Sequence, residues 1–162
     1  MIDAIDSRLV ELLQDDARMS NQDMAQAVGL TASSVFERVK KLEQKGIILG
    51  YGARVDSTKL GKPLLAFVRL SFGSTQGESS NEAMENLALL CAEERDILEC
   101  HDVAGEDCLV LKVRASGPKE LQRLLASIRD CARSSRSVTN IVLSTIKETA
   151  AVSPASESRA DE

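Results

Sequence analysis

Aromatic side chains are scarce in this chain: no tryptophan, one tyrosine and three phenylalanines make up 2% of 162 residues. That scarcity argues against recognition built on aromatic stacking, as in single-stranded nucleic-acid binders. Long apolar runs are absent too, and none approaches the length needed to cross a bilayer. The opening MIDAIDSRLVELL is acidic and amphipathic, where a secretory signal is basic and then apolar. A cytoplasmic protein with no membrane partner is expected.

Histidine occurs once, as His101 between Cys100 and Asp102. Alternation along a strand sends such neighbours to opposite faces, and no second cluster completes a ligand set, so no metal and no cofactor are expected. The four cysteines, Cys91, Cys100, Cys108 and Cys131, form no CxxC pair. They are expected to be reduced, mostly buried small hydrophobes. Cys91, Cys108 and Cys131 lack a local base, and neither a Ser-His-Asp order nor a phosphate-cradling glycine loop stands out. The sequence therefore does not read as an enzyme.

What remains is an ordinary globular balance, 43% hydrophobic and 28% charged, in a chain long enough for one ordinary domain or two small ones. The net charge is -5, yet its distribution is uneven. Between Arg38 and Lys62 stand the basic residues Arg38, Lys40, Lys41, Lys45, Arg54, Lys59 and Lys62 against only Glu43 and Asp56. Binding to a polyanion depends on such local placement rather than on the sum.

Periodicity predicts three helices in the first 46 residues. Ile5, Leu9, Leu12 and Leu13 line the first, with Asp3 and Asp6 near the positive end of its dipole. Ser20 caps a short second helix carrying Met24, Ala25 and Val28, which stops at Gly29. After a turn at Gly29 and Leu30, Thr31 caps a third helix whose Val35, Val39 and Leu42 recur on one face until Gly46. The following IILGYGARVDS reads as a short strand or ribbon, and TKLGKP as a turn-rich linker.

From Leu64 the period changes. LLAFVRLSF reads as a strand, GSTQGESS as a loop and NEAMENLALLCAEER as a helix; ILECHDV and CLVLKVRA form a hairpin about the turn AGED. GPKELQRLLASIRDCA is a helix with Pro118 at its first position, and SVTNIVLSTIKE a strand. The order βαββαβ is that of a ferredoxin-like sheet with both helices on one face. Leu64, Ala66, Val68 and Leu70 alternate with Leu65, Phe67, Arg69 and Ser71, so both faces of the first strand are substantially apolar, which points to a sheet covered by another subunit, the plain alternative being a loosely patterned strand. The fold class is thus α+β: a three-helix, winged-type helix-turn-helix domain over residues 1–49, a strand or linker over 50–63, and a βαββαβ domain over 64–149. A small, polar tail over 150–162 is expected to be disordered.

Around Val35 as the buried centre, Ser33, Glu37, Lys40 and Gln44 point outward, with Ser34, Arg38 and Lys41 on one flank. A start of small residues, Thr31, Ala32, Ser33 and Ser34, lets a helix enter a groove closely, and the basic residues after it can meet phosphates. A short helix, a glycine turn and this helix make a helix-turn-helix. Ser33, Ser34 and Glu37 are candidates for base edges, Arg38, Lys40 and Lys41 for phosphates, and Phe36 either packs or touches a thymine methyl. The plain alternative is a solvated face with a Glu37–Lys41 pair.

These residues carry a resemblance. Ile5-Asp6 with Leu12-Leu13, Ala25 with Val28-Gly29-Leu30-Thr31, Val35 with Arg38-Val39 and Leu42-Glu43, then Gly46-Ile47-Ile48 and Gly50-Tyr51, closely resemble the N-terminal domain of the Lrp/AsnC family, the leucine-responsive or feast/famine transcription regulators. The likeness spans about residues 2 to 148, the second half being similar to that family's regulation-of-amino-acid-metabolism (RAM) domain. It implies a homodimer or an octamer built through the sheets, double-stranded DNA as partner, and a small-molecule effector, usually an amino acid. It also implies an effector site at the hairpin turn Val103, Ala104, Gly105, Glu106 and Asp107. Many members carry an aspartate three residues after this glycine; here Asp107 follows by two and Cys108 takes the third place. Gly105 also reads as a turn glycine, and Asp107 as a turn-capping side chain. The expected function is a DNA-binding transcriptional regulator responding to a metabolite. The alternative is a metabolite-sensing interaction module or regulatory subunit without DNA binding.

Overall fold

The structure, a computed structural model, describes residues 2–72, 80–105, 108–132 and 135–155. It divides into two compact units, Met1–Arg54 with Lys147–Glu162, and Val55–Ile146.

The first unit holds α1 (Ala4–Asp15), α2 (Asn21–Val28) and α3 (Ala32–Gln44). Each starts where a short polar side chain can take an orphan N–H: Asp3 accepts from Asp6 N, Ser20 from Asp23 N and Thr31 from Ser34 N. Leu9, Leu12 and Leu13 of α1 meet Met24 and Ala25 of α2 and Val35 of α3 in one core, with Ile5, Val28, Leu30, Val39 and Ile48 packed round it. Leu9 is fully buried, so its truncation to alanine costs about 2–5 kcal/mol. Gly29 adopts φ +70° at the end of α2, and the Leu30 N–H returns to Ala25 O, turning the chain sharply into α3.

The second unit is βαββαβ: β1 (Leu64–Phe72), α4 (Ser80–Glu93), β2 (Ile97–Asp102), β3 (Leu109–Ala115), α5 (Pro118–Cys131) and β4 (Ser135–Ile141). The sheet runs β2-β3-β1-β4 with every pair antiparallel. Ala66, Val68 and Leu70 of β1 and Leu109, Leu111, Val113 and Ala115 of β3 pack against Ala83 and Leu87 of α4 and Leu121, Leu124 and Ile128 of α5. Leu65, Phe67 and Arg69 face away from that core, and the register sets them opposite Arg114, Lys112 and Val110. The second face is therefore mixed apolar and basic, with Arg114 and Lys112 of β3 adding to Arg69 of β1.

The linker enters this unit at a clamp. Lys62 Nζ donates to Asp96 Oδ2 at 2.6 Å and to Glu120 Oε1 at 2.9 Å. The Ser116 N–H donates to the other Glu120 oxygen. Lys62 first, and Ser116 with it, hold the Glu120 carboxyl down at about 2.

Four expectations change. The ribbon in 47–57 is not formed: residues 49–56 adopt no strand, Leu49 is 92% exposed, and no strand among the described residues offers this stretch a partner, so the domain shows no wing strand. β4 begins at Ser135 and ends at Ile141 rather than running over 137–148, because β1, its antiparallel ladder partner, starts only at Leu64 and the last bond is Val142 N–H to Leu65 O. Downstream, Leu143 and Ile146 are 97% and 100% exposed. The tail is pinned at Val152, whose N–H donates to Gln14 Oε1 at 2.6 Å and whose carbonyl accepts from Gln14 Nε2 at 2.9 Å; residues 156–162 lie outside the described residues. All four cysteines are free thiols, but none is fully buried, and Cys100 is exposed on edge strand β2.

Candidate nucleic-acid interface

The helix α3 divides into two faces because its apolar residues fall at helical spacing. Val35 and Leu42 are buried and Val39 half-buried, anchoring one side. On the other side Thr31, Ala32, Ser33, Ser34, Glu37, Lys40, Lys41 and Lys45 are exposed. Phe36 is 51% exposed, so its ring does not belong to the core.

The N-terminal end is a compact hydroxyl cluster. Thr31 Oγ1 lies 3.0 Å from Ser33 Oγ and 2.9 Å from Ser34 Oγ, and it accepts the Ser34 N–H at 3.2 Å. Replacing such a cap by alanine costs about 1 kcal/mol. With side chains this short, the helix backbone itself can approach a groove floor. The C-terminal end stops at Gly46, φ +67°, with the Ile47 N–H returned to Leu42 O at 2.9 Å. Tyr51 Oη donates to Glu43 Oε1 at 2.9 Å, folding the next residues back onto α3.

Ser33, Ser34, Glu37, Arg38, Lys41 and Lys45 line one open groove along α3, with Asp6 of α1 at its edge. The groove offers hydroxyls at one end and two ammonium groups at the other, with a carboxylate between. That arrangement suits a duplex, whose base edges lie between two phosphate rows.

Arg38 departs from the expectation of a phosphate ligand. Its Nη1 donates to Asp3 Oδ2 and to Asp6 Oδ1, both at 2.7 Å. Asp3 uses its other oxygen to cap α1 through the Asp6 N–H at 2.7 Å. That backbone bond first, and Arg38 second, hold the Asp3 carboxyl below the ordinary carboxylate range. Asp3 and Asp6 thus tie α3 to α1, a role the sequence reading missed. The signal was available: an arginine flanking the buried stripe of one helix, and two acids in the first turn of a neighbour.

The hairpin turn between β2 and β3 is closed at its base by Val103 N–H to Cys108 O at 3.0 Å, and Cys108 N–H reaches Leu70 O at 2.7 Å. Val103 is half-buried, Ala104 and Gly105 are exposed, and Gly105 takes φ +156°. Glu106 and Asp107 lie outside the described residues. Among the described residues, no helix is long and apolar enough to cross a membrane, and no group of three or more His, Cys, Asp or Glu is placed to hold a metal ion.

Comparison with known proteins agrees with both units. The AsnC-type helix-turn-helix domain family matches residues 2–43, and the Lrp/AsnC ligand binding domain family matches residues 65–152. The Leucine-responsive regulatory protein of Haemophilus influenzae is 36% identical over 126 residues, 78% of this chain and 74% of its own length. The HTH-type transcriptional regulator LrpA of Mycobacterium tuberculosis is 33% identical over 145 residues, 89% of this chain and 91% of its own. Among solved structures, the feast or famine regulatory protein of M. tuberculosis complexed with L-methionine is similar at TM-score 0.83 and 32% identity, covering 95% of this chain and 100% of that one. With an AsnC-type reading unit and a ligand-binding domain in one chain, this protein belongs to the Lrp/AsnC family of DNA-binding transcriptional regulators that respond to a small metabolite.

Proposed function

We propose that the regulator reads double-stranded DNA through the exposed face of α3, as a homo-oligomer whose assembly or affinity is set by an amino acid. Ser33, Ser34 and Glu37 face base edges, Glu37 being able to accept from cytosine N4. Lys40, Lys41 and Lys45 meet phosphates, and Thr31 and Ala32 let the helix end approach the groove. Phe36, being exposed, is available to a thymine methyl. Arg38 acts by fastening α3 to α1 and by neutralising Asp3 and Asp6 beside the DNA. The observation that carries this reading is the groove shared by Ser33, Ser34, Glu37, Lys41 and Lys45 on a helix anchored from behind by Val35 and Leu42.

Self-association is supported by the second face of the sheet, where Phe67 stands exposed near Arg69, and by the exposed apolar side chains Ile141, Leu143 and Ile146. A twofold dimer would set two α3 helices into successive major grooves about 34–36 Å apart. An amino acid as effector is supported by the L-methionine complex of a solved structure 32% identical; its assignment to the 103–107 turn follows the family resemblance. It acts by binding one assembly or helix spacing more tightly than another. We infer a cytoplasmic location from the need to reach DNA, and no catalytic step.

The test is selection of bound duplexes from random oligonucleotides by the full chain, repeated with a panel of free amino acids. Enrichment of a roughly palindromic site whose affinity shifts with one or a few amino acids is expected. Equal binding of selected and random duplexes would overturn the DNA-reading role, and an affinity and assembly state indifferent to every amino acid would overturn the effector role.

A further inference from the structure

The segment that joins the two units is anchored rather than slack. Asp56 Oδ1 accepts the Thr58 and Lys59 N–H groups at 2.9 Å and 3.3 Å, opening a short turn. Gly61, at φ +77°, closes it, with the Lys62 N–H returned to Ser57 O at 2.8 Å. Apart from half-buried Ser57, residues 56–61 are exposed, and so short a turn has little stability of its own. What fastens it is the next side chain. Lys62 reaches Asp96, just before β2, and Glu120, in the first turn of α5, through part-buried, charged bonds. Those carboxylates are themselves held: the Ser116 N–H donates to Glu120, and Glu94, which accepts the Asp96 N–H at 3.4 Å, takes Arg123 of α5 at 3.2 Å.

The other end of the segment is tied to the helical unit, where Ile48 packs round the core and Tyr51 bonds Glu43. Residues 52–55 lie between the two anchorages, all exposed and in no helix, strand or turn. The chain crosses between the units a second time after Ile146. Its hold there is lighter, since Arg54 to Glu148 O at 3.3 Å and Gln14 with Val152 are exposed bonds to backbone groups. Part-buried bonds between opposite charges are the stronger kind.

We propose that Lys62 is a positioning residue for DNA reading: by fastening the linker to the α+β unit, it keeps the tether of each reading unit at residues 52–55 and so fixes the spacing of half-sites that two α3 helices of one oligomer occupy together. The proposal rests on the DNA-reading function given above. Without the Lys62 ammonium the turn frays, and the tether runs over residues 52–63. The effective concentration of a second tethered binding unit falls roughly as the −3/2 power of tether length, so a tether about three times as long weakens joint binding about fivefold. A longer tether also reaches half-sites that a short one cannot. Selectivity for spacing therefore drops while the contacts of each α3 are untouched.

The experiment compares the full-length chain with Lys62→Met and Lys62→Arg. Gel-shift titrations use duplexes carrying one selected half-site, two at the selected spacing, and two with about five base pairs, half a helical turn, added between them. Hydrogen exchange read by mass spectrometry follows residues 56–62. In Lys62→Met, affinity for a single half-site should be unchanged, affinity for the paired site should fall about fivefold, and the penalty for the added base pairs should shrink. Exchange over 56–62 should rise while β1 and β3 stay protected. Lys62→Arg, which keeps the charge and the donors, should restore the paired-site affinity and the protection. Unchanged exchange, a spacing profile as sharp as before, or equal loss on single and paired half-sites would each overturn the proposal. Exchange spreading into β1 and β3 would overturn it too, by making Lys62 a general stabiliser. A flat profile in the unsubstituted chain itself would mark failure of the DNA-reading function, and would take this proposal with it.

Discussion

Asp6 Oδ1 accepts a hydrogen bond from Arg38 Nη1 at 2.7 Å, joining the first turn of α1 to the middle of α3. Because Asp3 takes the same guanidinium nitrogen, Arg38 neutralises Asp6, which lines the groove proposed to meet DNA, and Asp3 behind it. Arg38→Ala should weaken duplex binding and lower the melting temperature by roughly 4–8 °C for each kcal/mol lost in so small a unit. Adding Asp3→Asn and Asp6→Asn should restore much of the duplex affinity, which gel-shift titration measures. Affinity that stays low in the triple variant would mean Arg38 holds a phosphate directly.

Among the described residues no carboxylate pairs with Lys41, so its ammonium should displace counterions. Lys41→Ala should weaken specific and random duplexes alike and reduce the slope of log affinity against log salt by about 0.9. Binding at four or five salt concentrations gives that slope, and an unchanged one would remove Lys41 from the phosphate contacts.

Glu37 carries the reading part of the proposal. Glu37→Ala should cost about 1–3 kcal/mol of discrimination at one base pair while leaving random-duplex affinity nearly intact. Competition between selected sites and single-base variants measures it; uniform loss across all sequences would assign Glu37 a structural role instead.

Glu120 should show the strongest acid-side signature of the α+β unit. Its carboxyl is held down at about 2 from an ordinary value near 4.5 by Lys62 and the Ser116 N–H. A depressed carboxylate stabilises fully above its unfolded value and loses that contribution as pH falls through its folded value. The gap in urea midpoint between the unsubstituted chain and Glu120→Gln should therefore be constant above about pH 5 and close between about pH 4.5 and 2. In Lys62→Met the Glu120 titration, followed by carbon-detected NMR, should move upward. A gap insensitive to pH would place the clamp outside the folded-state balance.

The three helices and the βαββαβ order were legible because each rests on local signals: apolar spacing, acids at the start of α1, caps at Ser20 and Thr31, and glycines that end α2 and α3. The exposed face of α3 was legible for the same reason, since a helical wheel needs only one helix. What escaped the sequence involves partners distant in the chain. Arg38 looked like a free cation until α1 brought Asp3 and Asp6 beside it. The stretch around Leu49 and Tyr51 has strand composition, yet composition cannot supply the neighbouring backbone that a ladder requires.

The exposed row of Ile141, Leu143 and Ile146 bears on how the protein behaves on dilution. Where the proposed self-association covers these apolar side chains, the folded protomer gains stability from its partner and mass action enters the unfolding equilibrium. A melting temperature that climbs with protein concentration is expected, and Leu143→Ser with Ile146→Ser should flatten that climb. A cell making too little of this regulator would then hold a chain that is not merely scarce but individually less durable.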